Sequence, residues 1–246
     1  MGVRDTARGD AARDAILRDL PHASVRVARV DLSDLDSVRA LAAEDLDVDG
    51  LVNNAGVAFV PKVLTREGVV SQFATNHLGH FALTALLFDR LARVVTVTST
   101  LAKKGRLDLD NLDGSRGYGS MRAYAQSKLA NVLFASELAR RLKARGSPVK
   151  SVLVHPGVPA TAMQERGIGL AGVVARIASA LIGKPAVHGA RAVLAATIGD
   201  DVDNGDLFEP GDPPKKKAAP WPTMLDERQA AALWERSEAL TKLRFL

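Results

Sequence analysis

Short apolar, β-branched runs punctuate the chain at residues 25–30, 50–52, 93–98 and 151–154, each of a length that suits a buried strand. Between and beyond them apolar positions recur at helical spacing, over 5–19, 34–44, 65–91, 121–145, 168–182, 187–199 and 226–241. Ser33, three residues ahead of Asp36, has the form of a capping box at the start of the second helix. Strands alternating with helices predict parallel βαβ units, and a parallel sheet needs helices on both faces. The expected class is a doubly wound α/β fold.

The chain shows no internal repeat, and its one linker-like stretch, the Pro-rich 210–222, lies too near the end to separate two domains. A chain of 246 residues is an ordinary size for a single open α/β sheet, so one domain over 1–246 is expected.

Composition narrows the chemistry more than the fold. With 47% apolar and 25% charged residues the chain reads as an ordinary globular protein. The absence of cysteine excludes disulfides, thiolate metal sites and a cysteine nucleophile, and suits the cytoplasm. The most apolar stretch, 168–182, is interrupted by Arg176 and falls short of the ~20 residues that span a bilayer. Arg4, Asp5, Arg8 and Asp10 leave no room for a signal-peptide core, so a cytoplasmic protein without a transmembrane segment is expected. The net charge is +5, but acidic residues are interspersed almost throughout. The basic run Lys215 to Lys217 sits between Pro214 and Pro220 without aromatics and reads as a solvated loop, which sets nucleic acid aside.

Tyr124 and Lys128 are four residues apart on a predicted helix, hence on one face. A tyrosine with a reference pKa of ~10 is a poor acid or base at neutral pH, and a nearby ammonium favours its phenolate. The run Asn53-Asn54-Ala55-Gly56 follows one predicted strand, and Thr98-Ser99 ends the next. Both therefore fall at the carboxyl ends of parallel strands, where α/β sheets bind ligands. There Ser99 is suited to donate to a substrate carbonyl oxygen, while a polar, small-residue turn lets backbone approach a cofactor closely. His77, His80 and His155 lie on different segments without a carboxylate at zinc-site spacing, so no metal is expected.

In their order, Asn53-Asn54-Ala55-Gly56, Asn76, Ser99, Tyr124 with Lys128, and His155-Pro156-Gly157 resemble the motifs of short-chain dehydrogenases/reductases. The runs from Thr75 to Phe81 and from Gln126 to Asn131 resemble the retinol-dehydrogenase-like branch. The resemblance implies a Rossmann-like sheet and hydride transfer between a nicotinamide cofactor and a small-molecule alcohol or carbonyl substrate. It makes Tyr124 the acid/base and gives Lys128 two tasks, lowering the phenol pKa and holding the nicotinamide ribose. Ser99 then orients substrate and Asn76 supports a proton relay through water. For the cofactor it implies Asp31 and Leu32 at the adenine, Asn53, Asn54, Ala55 and Gly56 at the adenosine ribose, and Pro156, Gly157, Val158 and Thr161 beside the nicotinamide. Arg4 stands where a basic residue favours NADP, with NAD the second choice. An apolar lid over 168–182 suits a lipophilic substrate, a buried core helix being the equal reading, and relatives pair into homodimers or homotetramers through the helices of Asn76 and Tyr124.

One family element has no counterpart. The first strand, its glycine-rich turn and the following helix are missing, and Met1-Gly2-Val3-Arg4 resembles the tail of the second strand. The resemblance thus predicts a sheet incomplete on its N-terminal side, with unpaired strand edges, and a start placed too far downstream in a longer reading frame. Two other functions are set against the dehydrogenase: sugar-nucleotide epimerase or dehydratase chemistry, and a catalytically silent binding or dimerisation protein.

Overall fold

The computed structural model describes residues 1–157, 186–217 and 221–246. The expected lid or core helix over 168–182 and the cofactor residues Val158 and Thr161 lie outside the described residues. The chain runs β1 (Gly2–Val3), α1 (Thr6–Asp19), β2 (Ala28–Arg29), α2 (Leu35–Ala42) and β3 (Gly50–Asn53). A helical turn at Ser71–Phe73 and a π-helical turn at Ala74–Leu78 then lead into α3 (Gly79–Leu87). There follow β4 (Arg93–Val97), α4 (Ser120–Ala144), β5 (Lys150–Val154), α5 (Ala186–Ile198), β6 (Leu207–Glu209), β7 (Lys215–Lys216) and α6 (Glu227–Thr241). No described helix is long and apolar enough to cross a membrane.

Among the described residues, strand pairing divides into two sheets. β1 pairs parallel with β2, while β3, β4, β5 and β6 form a parallel ladder that β7 closes antiparallel. Alternation along the strands faces the two layers of helices. Val94 and Leu153 pack toward α4, with Phe134, Leu138 and Leu133, whereas Val95, Val152 and Val154 pack on Ala192 and Ala196 of α5. The residues around Phe245 join the first layer, where its ring lies tilted 4.8 Å from Trp234 and Phe81 lies edge-on to both.

Between the two sheets lies a cleft of about 990 Å³. Val3, Val30 and Leu32 line it from one sheet, Leu51, Val52 and Asn53 from the other, and Val193 and Leu194 from α5. Among the described residues, the second edge of β1 and that of β3 carry no strand. On α5 the apolar face continues outward, with Val187, Leu194 and Ile198 exposed at spacings of seven and four, one helix face.

Four local expectations are corrected. The helix expected from 65 begins only at Ser71: Leu64 and Val70 form an antiparallel bridge around a turn in which Gly68 adopts φ 74°, a left-handed conformation that ends helical propagation. The cap of α2 is Asp34, which accepts from Asp36 N at 3.0 Å, while Ser33 donates to Asp31 Oδ1 instead of forming a capping box. The strand expected over 25–30 shortens to Ala28–Arg29, since its partner β1 pairs over two residues. Finally, the basic run is not a solvated loop. Lys215 and Lys216 form β7, and Lys216 reaches Asp203 and Asp206, each at 3.0 Å, while Lys217 pairs with Glu209 at 3.0 Å.

Candidate active site

The helix α4 places Tyr124 and Lys128 one turn apart with both side chains buried, 8% and 2% exposed. Lys128 Nζ donates to the Val97 carbonyl at 3.1 Å, Asn131 Nδ2 donates to that same oxygen at 3.1 Å, and Thr98 Oγ1 donates to the Lys128 carbonyl at 2.8 Å. These three bonds fasten the carboxyl end of β4 to α4, which brings Ser99 against Tyr124. Burial raises the Tyr124 phenol above its ordinary range, opposed by a hydrogen bond with Ser99. Burial also pushes Lys128 down to about 8. The hydrogen bond made by the Lys128 ammonium goes to Val97, so burial, rather than the lysine, sets the phenol's acidity in this structure.

Asn76 is fully buried on the π-helical turn. Its Nδ2 donates to the Val57 carbonyl and to Ser127 Oγ, both at 2.9 Å, and its Oδ1 accepts from Val57 N at 2.8 Å. Ser127 Oγ donates its own hydrogen to the Tyr124 carbonyl at 2.8 Å, which leaves it an acceptor for Asn76. Four residues on, His80 Nδ1 contacts the Asn76 carbonyl at 3.0 Å and so carries its hydrogen there. Thr84 Oγ1 donates to the His80 carbonyl at 2.7 Å and accepts from Asn53 Nδ2 at 3.1 Å. One helical stripe, residues 76, 80 and 84, therefore holds the loop 53–57 at both ends and joins it to the Tyr124 turn. Among the described residues, Asn53 Oδ1 is buried without a partner.

The segment after this loop contributes residues that sequence patterning did not single out. Phe59 packs its ring against Tyr124, tilted by 56° at a centroid distance of 5.2 Å, and its backbone is left-handed, φ 57°, a conformation that costs a non-glycine residue about 1–3 kcal/mol. Buried Gln72 holds it there, with Oε1 accepting from Phe59 N at 2.8 Å. Arg8, in the first turn of α1 and four residues after Arg4, is another missed residue; that spacing was its only signal in the sequence. Arg4 and Arg8 line a pocket of about 440 Å³ with Ser33, Gly56, Val57 and Thr75. Neither arginine makes an ion pair among the described residues.

The expected cofactor residues divide between two openings. Arg4 and Gly56 line the basic pocket, while Leu32, Asn53, Asn54, Ala55 and Pro156 line the cleft between the sheets. Asp31 lines neither; its carboxylate accepts from Ser33 N and Oγ. Leu32 is locked by a glycine on α3, because a Cβ at Gly79 would stand 2.2 Å from the Leu32 carbonyl oxygen. Gly157 adopts φ 83° at the end of β5, a turn open to glycine. The histidines stand apart: His77 Nε2 meets Ser237 Oγ at 2.9 Å, His80 holds Asn76, and His155 packs on Trp221.

A parallel sheet covered on both faces, with a tyrosine, a lysine and a serine joined at its strand ends, defines a doubly wound α/β protein of dehydrogenase type. The family model described as short chain dehydrogenase matches residues 3–168. The chain belongs to that family, and within it to the retinol-dehydrogenase-like branch. It is 35% identical to human retinol dehydrogenase 14 over 270 aligned positions, covering 99% of this chain and 78% of that protein. With mouse retinol dehydrogenase 12 it shares 42% identity over 167 positions, 64% of this chain, and that match spans about half, 52%, of the relative's length. Among solved structures, a protein from Mycobacterium paratuberculosis described as uncharacterised superposes with a TM-score of 0.80 at 40% identity, over 100% of this chain and 84% of that one. A short-chain dehydrogenase from Sphingobium yanoikuyae, solved with NADPH, shares the fold with a TM-score of 0.60 at 21% identity, over 99% of this chain and 85% of that one.

Proposed function

We propose that this chain carries the reaction centre of a nicotinamide-dependent oxidoreductase acting on an alcohol/carbonyl pair, with NADP(H) preferred over NAD(H) and a lipophilic substrate. The reading rests on one observation: Ser99 and Tyr124 meet at the carboxyl end of β4, with Lys128 held there on the Val97 carbonyl and Asn76 tied through Ser127 to the Tyr124 backbone. The relatives' name, retinol dehydrogenase, favours a lipophilic alcohol.

The residues fit such a cofactor at two of its ends. Arg4 and Arg8 offer two guanidinium groups to an adenosine 2′-phosphate in the basic pocket, and Lys128 beside Tyr124 suits the nicotinamide ribose. The bound nicotinamide supplies or takes the hydride. In reduction, the Tyr124 hydroxyl gives its proton to the substrate oxygen, and in oxidation the phenolate takes it back. Ser99 Oγ donates to that same oxygen and stabilises the charge developing on it. Lys128, its ammonium held at the Val97 carbonyl, is assigned to the nicotinamide ribose rather than to the phenol's acidity, which burial sets. Asn76, with both amide hydrogens committed, acts by holding the Val57 wall and the Tyr124 turn.

For the pyrophosphate the described residues offer no glycine-rich turn. We assign that role to a strand, turn and helix seated in the cleft between β1 and β3. The unpaired strand edges, the apolar lining and the orphaned Asn53 Oδ1 support this assignment.

Tyr124→Phe tests the reaction. A panel of alcohols and carbonyls assayed with NADPH and NADH is expected to show kcat lower by about two to four orders of magnitude with KM little changed. Equal rates for the variant and the unaltered chain would sink the assignment. No particular observation favours the silent-protein or epimerase readings.

A further inference from the structure

The segment from Val57 to Val60 is pinned more heavily than a surface loop requires. Asn76 holds both the N–H and the carbonyl of Val57. Gln72, one turn earlier on the same helical run, accepts from Phe59 N at 2.8 Å and donates to Tyr118 Oη at 2.8 Å and to the Ser120 carbonyl at 3.0 Å. Tyr118 Oη in turn donates to the Val60 carbonyl at 2.7 Å. Gln72 is completely buried and has both amide hydrogens and its oxygen engaged, so its orientation is fixed by its partners.

These clamps hold Phe59 in a left-handed backbone conformation that a bulky side chain rarely adopts. Backbone held against its preference is kept where the surrounding structure determines it, and such residues cluster at functional sites. The conformation has a visible consequence. Val57, Ala58 and Val60 line the basic pocket, whereas the Phe59 ring turns away from it onto Tyr124. With Ala58 and Leu101, Phe59 and Tyr124 form a small apolar cluster separate from the main cores.

We infer that Phe59 is a positioning residue for Tyr124: its ring, set by the left-handed turn that Gln72 and Tyr118 clamp, holds the phenol toward Ser99 and keeps water from it. The inference rests on the acid/base reading of Tyr124, yet its physical content is testable without turnover. The direction of the Tyr124 shift agrees, since burial raises the phenol. Removal of the ring lets water reach the hydroxyl and stabilises phenolate.

The chain contains two tyrosines, so tyrosine labelled with carbon-13 at Cζ gives two resonances, and Tyr124→Phe assigns them. In Phe59→Gly and Phe59→Ala, the Tyr124 resonance is expected to titrate at lower pH than in the unaltered chain. Phe59→Gly is expected to melt above Phe59→Ala, although it has one methyl fewer, because glycine takes a left-handed φ at no steric cost. In the catalytically competent form, kcat falls by about ten- to a hundredfold in both variants. An unmoved Tyr124 titration in folded variants overturns the shielding role, and a glycine variant that melts below the alanine one overturns the clamped turn. If neither small variant folds, Phe59→Leu decides the matter: it keeps apolar volume but not the ring, and an unmoved phenol there overturns the inference. A shifted phenol in a protein with no turnover on any substrate leaves Phe59 in place and removes the oxidoreductase reading instead.

Discussion

Asn76 and Val57 bind each other reciprocally, the Val57 N–H donating to Asn76 Oδ1 at 2.8 Å and Asn76 Nδ2 donating to the Val57 carbonyl at 2.9 Å. The pair acts as a two-bond staple between a π-helical turn and the loop that leaves β3. The remaining amide hydrogen reaches Ser127, so a single side chain positions the loop and the Tyr124 turn together. Asn76→Ala leaves these groups without partners in a largely dry site. We expect a loss of roughly 1–3 kcal/mol in urea unfolding. Asn76→Asp, which keeps the acceptor for Val57 N–H but loses both donors, should lie no closer to the unaltered chain than the alanine variant.

Lys128 makes a separate prediction in its pH dependence. Its pKa is about 8 when folded, below the 10.5 of an exposed lysine. Between these values the unfolded chain holds more protons than the folded one, so stability rises with pH across the window from about 8 to 10.5 and the burial cost is fully present below it. Lys128→Met is expected to raise the melting temperature at pH 7 and to flatten that rise. The Val97 carbonyl keeps Asn131 as a donor, so the substitution does not orphan it. A lower melting temperature at pH 7 would show that the buried lysine stabilises the fold.

Arg4 and Arg8 should discriminate between cofactors. Alanine at either position is expected to weaken NADPH binding by about tenfold, the value of a charge-assisted hydrogen bond, and to leave NADH nearly unaffected. Calorimetry on a form with the cleft filled checks this. Equal losses for both cofactors would place the arginines elsewhere than at a 2′-phosphate.

The cleft predicts that β3 is a vulnerable edge. Backbone amides of Gly50–Asn53 are expected to exchange with deuterium faster than those of Lys150–Val154, which has a strand on each side. Fusion of an apolar strand, glycine-rich turn and helix ahead of Met1 should slow exchange at β3 and raise the melting temperature. Unchanged protection at β3 would mean that the added segment docks somewhere else.

Local periodicity alone determined the alternation of strands and helices, the extent of α4 and the one-turn separation of Tyr124 and Lys128, because helical spacing is a property of neighbouring residues. The motif order likewise located Asn53, Asn76 and Ser99 on their elements. What tertiary structure decided depended on residues distant in the chain. β6 is three residues long and exists through its pairing with Leu153 and Val154, and β7 takes Lys215 and Lys216 because Asp203 and Asp206 meet Lys216 there. Gln72 and Phe59 are thirteen positions apart and Tyr118 is forty-six beyond Gln72, so no window of sequence contains the clamp that they form. The cleft is of the same kind: β1 and β3 each pair on one side, and only their placement in space reveals two edges facing a shared apolar gap.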